Sequence, residues 1–429
     1  MEDNINIPVG WHLKQVVEFA SKMQSGGTPK SDNLEYYNGE IPFVAIDDLS
    51  KSNKYISKTQ KKITNKGLIN SSAWLVPKYS LLYSIYATLG VPRINLIEVA
   101  TNQAILNILP NKKIISLEFL YYLLLEKRNT ILSHSAHTTQ SNLNAKVVKE
   151  LEFVFPKSTV EQNKIAEILS KVDKAISETE TIIEKFNRIK TGLKKDLFSK
   201  GIDDNGNVRY DDKDFKYTSW GKIPKNWICK PLGDCCYITK LAGYEFTKHI
   251  KYIDNGEIIA LRAMNIKNEQ LLLDDVQRIS KNVSNYLVRS KLYNGDILIT
   301  YIGAYIGDVV QIRENDKYHL APNIAKIVAG NSLTSDFLEN VLRTEIVRKQ
   351  INALITTTAN PSLTMGQIRK IQVFYPKDIE EQKRINSKLL NTNKYLENLK
   401  IELNKLKSIK TGLMQDLLSG KKRVTHLTN

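Results

Sequence analysis

Between residues 160 and 198 apolar positions recur at spacings of three and four. Ile165, Val172, Phe186 and Leu193 fall seven or fourteen apart, and Ile168, Ala175, Ile182 and Ile189 form a companion series. Thr179 and Asp196 are the polar exceptions. The pattern predicts one helix of about 40 residues, roughly 60 Å long, with a single apolar stripe of the coiled-coil kind. It returns at 381–419 through Ile385, Leu389, Leu396, Leu399, Leu403, Leu406, Ile409, Leu413 and Leu417. A helix with one stripe needs a partner, and the simplest partner is its own repeat. Each helix follows its own globular segment, so antiparallel pairing within the chain is expected. On this reading a charge placed at Ile189 or Ile409 costs several kcal/mol.

The repetition extends to identities. Glu161-Gln162 returns as Glu381-Gln382, and Ile189-Lys190-Thr191-Gly192-Leu193 as Ile409-Lys410-Thr411-Gly412-Leu413, both at an offset of 220. Upstream, Ile7-Pro8-Val9-Gly10-Trp11 parallels Ile223-Pro224-Lys225-Asn226-Trp227, and Leu82 to Gly90 parallels Ile299 to Gly307. A period this long is domain-sized. Two copies of a domain present two copies of a surface, which suits a two-part target.

Outside the helices the patterning is mixed. Strand-like runs are Ile41–Ile46, Ser80–Ile85, Ile258–Leu261, Asp296–Tyr301 and Val309–Ile312, while Leu117–Lys127 and Ser335–Ala353 read as helical. Gly201-Ile202-Asp203-Asp204-Asn205-Gly206-Asn207 and the charged residues after it read as a turn-rich linker. The expected class is α/β (α+β), with two repeated globular domains separated by two long helices that form an intramolecular antiparallel coiled coil. The expected boundaries are 1–157 (first globular domain), 158–200 (first helical region), 201–222 (linker), 223–377 (second globular domain), 378–421 (second helical region) and 422–429 (tail).

Composition adds a partner class. The 429 residues carry a formal net charge of +17, with 42% apolar and 25% charged residues. The excess of Lys and Arg favours a polyanion, because each phosphate neutralised releases counterions. Lys51, Lys54, Lys58, Lys61, Lys62 and Lys66 occur with no acidic residue between 51 and 66 and read as a phosphate-facing loop or as a solvated face. No uninterrupted apolar stretch is long enough for a membrane span, and the start has no signal-peptide pattern. The three cysteines, Cys229, Cys235 and Cys236, read as reduced thiols of a cytoplasmic protein.

No catalytic constellation is found: no P-loop, no His-Glu-x-x-His, no Gly-x-Ser-x-Gly and no Asn/Asp-Pro-Pro-Tyr/Phe. Metal ligands and catalytic residues are expected to be absent. Polar segments before each long helix offer donors and acceptors for phosphates and base edges. In the first half these are Ser135, His137, Thr138, Gln140 and Asn142; in the second, Thr356, Thr358, Asn360 and Ser362. Further candidates are Thr28, Lys30, Lys58, Lys61 and Lys62, and the aromatic residues Tyr86, Tyr244, Tyr301 and Tyr305.

Taken together, these features resemble the specificity subunit of Type I restriction-modification systems. The resemblance covers essentially the whole chain. Its most specific parts are Pro-x₄-Glu-Gln-x₂-Ile (Pro156 to Ile165, Pro376 to Ile385) and Lys-Thr-Gly-Leu-x₂-Asp-Leu (190–197, 410–417). The family's Gly-x-Thr-Pro stretch stands at Gly26-Gly27-Thr28-Pro29 and has no counterpart at Leu241-Ala242-Gly243-Tyr244. The resemblance implies two target recognition domains reading a bipartite sequence in double-stranded DNA. It implies methyltransferase subunits, expected as a pair, and restriction motor-nuclease subunits. It places S-adenosylmethionine and ATP on those partners and no cofactor in this chain. The competing readings are a sequence-independent architectural coiled-coil protein that binds DNA, and a nuclease or methyltransferase whose motifs have drifted.

Overall fold

The computed structural model describes residues 7–86, 89–128, 145–355 and 361–425. They fall into two compact units, one from Met1–Thr181 with Lys400–Asn429, the other Ile182–Leu399. Each long helix therefore gives one half to each unit.

In the first unit a five-stranded sheet runs in the order Ala20–Ser25, Ile105–Pro110, Leu81–Ser84, Pro92–Asn95, Tyr55–Ile56. Beside it lies a three-stranded sheet ordered Lys61–Ile63, Tyr37–Val44, Ala100–Thr101. The second unit repeats the plan. Its four-stranded sheet runs Cys236–Lys240, Ile324–Ala329, Ile297–Thr300, Val309–Gln311, and its three-stranded sheet Gln277–Ile279, Ile258–Leu261, Tyr318–Leu320. In each small sheet one pairing is antiparallel and one parallel, in the same places. The expected α/β duplication is thus present in the three-stranded sheets and in four strands of the large ones, the first unit adding Tyr55–Ile56 at its edge. The run read as one helix at Ser335–Ala353 is two, Ser335–Leu342 and Glu345–Leu354, because the Thr344 hydroxyl accepts from Val347 N and starts a new one.

The long helices span Thr159–Lys200 and Ile379–Leu418. Ser158 caps the first through Glu161 N, and Asp378 caps the second through Glu380 N and Glu381 N. They run past Gly192 and Gly412 and stop at Gly201 and Gly420, whose φ angles of +63° and +75° suit the left-handed residue after a helix. In the first unit Asp173 holds Lys410 at 2.6 Å and Glu180 holds Lys407 at 2.8 Å. In the second, the Phe186 and Tyr395 rings lie 4.6 Å apart, and Leu197 shares a core with Ile385 and Leu389. Partner numbers fall as helix numbers rise, so the halves pack antiparallel within each unit.

The seam itself differs from the sequence reading. Between 182 and 192 only Ile183, Phe186 and Lys190 are shielded, and between 390 and 412 only Thr392, Leu396, Leu399, Leu403, Leu406 and Lys410. The series through Ile165, Val172, Phe186 and Leu193 stands, but its companion sits one residue later than expected. Ile182, Ile189 and Ile409 are 39%, 55% and 42% exposed and lie outside the seam, and Ile168 only flanks the core. The cause is that Lys190 and Lys410 occupy seam positions, where the alkyl stem packs and the ammonium reaches out. A pattern built on apolar identity moves to the adjacent isoleucine. The large cost expected for a charge at Ile189 is withdrawn. Ile189→Glu should shift the thermal midpoint by no more than about 2 °C, whereas Leu197→Glu, fully buried, should cost several kcal/mol. Differential scanning calorimetry of both variants checks the register.

The segment 201–222 is not a free connection. Ile202 is fully buried and bridges to Val208, and Phe215–Thr218 forms a hairpin with Gly221–Pro224. Arg209 reaches Glu381, so this segment belongs to the second unit. In the same way Arg423 and Val424, expected in a tail, pack on the first unit. These contacts explain the repeated Glu-Gln. Gln162 accepts from Ser116 N at 2.7 Å and donates to Ile114 O and Pro156 O. Gln382 makes the same three bonds with Thr334 N, Ser332 O and Pro376 O. Glu161 takes the Arg423 guanidinium at 2.6 and 2.8 Å, and Glu381 that of Arg209 at 2.6 and 3.1 Å.

Candidate nucleic-acid interface

In both units the third strand of the large sheet ends in a loop held by an arginine. In the first, Ile85 N donates to Ala104 O at 2.9 Å, Gly90 N returns to Ser84 O, and Arg128 Nε donates to Leu89 O at 3.0 Å. In the second, Tyr301 N donates to Asn323 O at 3.0 Å, Gly307 N returns to Thr300 O, and Arg348 Nη1 donates to Ile306 O at 2.7 Å. Arg348 Nη2 also reaches Asp308 at 3.0 Å. Gly90 and Gly307 close these loops at φ +72° and +80°, where a side chain would be strained. Matching bonds align Ser84 with Thr300 and Gly90 with Gly307, so the second loop is one residue longer. The sequence alignment of Leu82 to Gly90 with Ile299 to Gly307 therefore holds at the glycine and slips in the strand.

Of the first-half candidates, the structure gathers two, Thr28 and Tyr86, around this loop. The exposed Thr28 hydroxyl bonds the Gln103 side chain, and Ala104 next to it receives Ile85 N, the residue before exposed Tyr86. Gly26 and Gly27 bring the chain in close: a Cβ on Gly26 would meet Thr101 O at 2.0 Å, and one on Gly27 Ser72 Oγ at 2.2 Å. Lys30, Lys58, Lys61 and Lys62 are exposed, with Lys61 and Lys62 on the edge strand and Lys62 3.7 Å from Glu40. The lysine run is not one phosphate-facing loop. Lys54 turns inward to Glu118, the Tyr122 hydroxyl and Ser170, and burial, countered by Glu118, lowers its pKa. Lys66 is paired with Glu35.

In the second unit Tyr305 is half-buried, with the Lys267 ammonium 5.4 Å from its ring centroid, and Tyr244 stands exposed on the helix Gly243–His249. Tyr301 is a correction. It is 8% exposed within the main core, and burial pushes its hydroxyl pKa up, because the ring continues a buried strand. Ser362 bridges to Ile302, and Leu363 N donates to Tyr301 O at 2.9 Å, so the end of the polar segment is tied to the loop. Ser135, His137, Thr138, Gln140, Asn142, Thr356, Thr358 and Asn360 lie outside the described residues. Sequence reasoning missed Arg128, Arg348 and Gln103; only their matching place in the repeat, Arg128 and Arg348 at an offset of 220, could have signalled the arginines.

A groove of about 380 Å³ opens beside the second loop, lined by Tyr252, Arg262, Met264, Gly303, Tyr305 and Asn323 among others. Nearby His319 is buried with its Nδ1 3.0 Å from Ser284 Oγ. Burial, then Lys326, lower its pKa to about 4, so it is neutral at pH 7. Among the described residues no three His, Cys, Asp or Glu side chains are grouped to hold a metal. No helix among them is long and apolar enough to cross a membrane.

The profile of a family described as Type I restriction modification DNA specificity domain matches residues 8–188 and again 224–410. The chain is 27% identical to the Type I restriction enzyme MjaIX specificity subunit of Methanocaldococcus jannaschii, covering 98% of this chain and 95% of that one. It is 22% identical to the EcoBI specificity subunit of Escherichia coli, covering 98% and 88%. In fold it is similar to the S subunit of a Type I system from M. genitalium, with a TM-score of 0.54 at 16% identity over 97% of each chain. It is likewise similar to the HsdS subunit of Thermoanaerobacter tengcongensis, with a TM-score of 0.52 at 14% identity over 98% and 100%.

Proposed function

Since the chain belongs to the family of Type I restriction modification DNA specificity domains, we propose that it is the sequence-specific DNA-binding subunit of a restriction-modification complex. Each unit reads one half of a bipartite duplex target. The observation that carries this reading is the duplication: the two units share the order of their three-stranded sheets and of four large-sheet strands, and each ends the same strand in an arginine-held loop with polar and aromatic side chains around it. The net charge of +17 supplies attraction to phosphates.

The chain also scaffolds the methyltransferase and motor-nuclease subunits, and S-adenosylmethionine and ATP belong to those partners. The drifted-enzyme reading has no constellation in the sequence to support it. Purified alone, the chain is expected neither to methylate nor to cleave DNA, and to give no S-adenosylmethionine heat by calorimetry. Micromolar binding would overturn that assignment. The function itself is tested by exchanging residues 1–156 for the same part of a relative and sequencing the methylome of a host with the complete system. One half of the modified motif should change and the other stay. A change in both halves would show joint reading.

A further inference from the structure

The duplication allows the lining of this groove to be compared with the matching positions of the first unit. Arg262 N donates to Asn265 Oδ1 at 3.0 Å, as Ala45 N donates to Asp48 Oδ2 at 2.9 Å, so Arg262 stands where the first unit has Ala45. Ala321 N donates to Leu261 O as Asn102 N does to Val44 O, and Tyr301 N to Asn323 O as Ile85 N does to Ala104 O. Pro322 and Asn323 thus replace Gln103 and Ala104. The backbone is kept, and the side chains that face the groove are changed.

That combination is what two readers of different half-sequences require. A contact to phosphate could stay the same in both units; a contact to a base edge has to differ. Arg262 is suited to the second task. Asp275 holds its Nη2 through Oδ1 at 3.1 Å and through its backbone O at 3.2 Å, which fixes the plane of the guanidinium. Nε is buried without a partner and Nη2 already has two acceptors, so among the described residues Nη1 is the nitrogen left to donate, and Arg262 lines the groove. Tyr252 and Tyr305 flank it with rings, and Asn323, held at φ +72°, forms the far corner.

Resting on the proposed function, we propose that this groove is where the second unit reads bases. Arg262 is its principal specificity determinant and donates from Nη1 to a guanine acceptor in the major groove. In the first unit the same place is read by Gln103 and Thr28, with Ala45 leaving room, so the two half-sequences differ.

The test is methylome sequencing of a host carrying the complete system with Arg262→Ala or Arg262→Lys. The wild type must first return a bipartite motif; without one, the proposed function fails and not this assignment. With one, Arg262→Ala is expected to make one guanine-containing position of a single half degenerate, with preference there falling at least fivefold. The other half stays unchanged. Arg262→Lys keeps the charge and loses the planar guanidinium that Asp275 orients, so it should relax the same position. An unchanged motif in both variants overturns the proposal. So does a uniform loss of modification at all positions that Arg262→Lys restores, because that is a phosphate contact. Equal unfolding midpoints of wild type and Arg262→Lys confirm that the comparison is between folded proteins.

Discussion

Glu381→Leu is expected to destabilise the second unit by about 3–5 kcal/mol, the usual cost of stripping one partner from a buried ion pair. The carboxylate is 2% exposed and gathers five donors: two from Arg209, and one each from Trp227 Nε1, Ile202 N and Asn226 Nδ2. Leucine fills the volume but leaves the Trp227 indole N–H without an acceptor, and the Arg209 guanidinium with only Lys200 O at 3.5 Å, in a place water reaches poorly. Glu381→Gln keeps most of the shape and loses the charge, so it should fall between the two. The mirror change Glu161→Leu should cost less. Glu161 receives Arg423 alone, at 2.6 and 2.8 Å, and Arg423 is about a third exposed, which screens the pair. Denaturant unfolding of the three variants gives the ranking. If Glu381→Leu unfolds at the wild-type midpoint, the clamp contributes nothing to stability.

That clamp shows where sequence reading stops. Glu161-Gln162 and Glu381-Gln382 were conspicuous as a repeat, yet nothing in the sequence said whether they were functional or structural. Their partners lie far away in the chain, Arg423 being 262 residues from Glu161 and Arg209 172 from Glu381. Local patterns do not carry such pairings. The helices were legible because a 3–4 alternation over 40 residues has few other outcomes, but their inward face was off by one on one side. Ile182 and Ile183 are both apolar, and at 189–190 the more shielded position is the lysine. The linker was misread for a related reason: glycines and acidic residues dominate 201–207, and the one residue that anchors it, Ile202, is a single apolar side chain among them. In the site, exposed polar loops such as Thr28 and Tyr86 could be named in advance. Tyr301 could not be separated from Tyr305, since only the strand end decides which of two nearby rings is buried.

Both long helices pass from one compact unit into the other, at Thr181–Ile182 and at Leu399–Lys400. Whether the helices set the spacing of the target is open to mutagenesis. Thr179 and Leu399 are shielded seam positions separated by the repeat offset of 220, so seven residues inserted after each keep the 4–3 alternation in phase on both helices. Asp173 with Lys410 and Phe186 with Tyr395 lie on either side of the insertions and are left intact, while the exposed pair of Glu180 with Lys407 is separated. Seven helical residues add roughly 10 Å, or about 3 base pairs of duplex. If the helices set the distance between the two half-sequences, the methylome of a host carrying the altered complex should show both halves unchanged and the unread spacer lengthened by about 3 base pairs. An insertion of the same length in one helix alone breaks the pairing and should abolish modification. A doubly altered protein that still modifies DNA at the original spacing would show that the helices hold the units together without measuring the site.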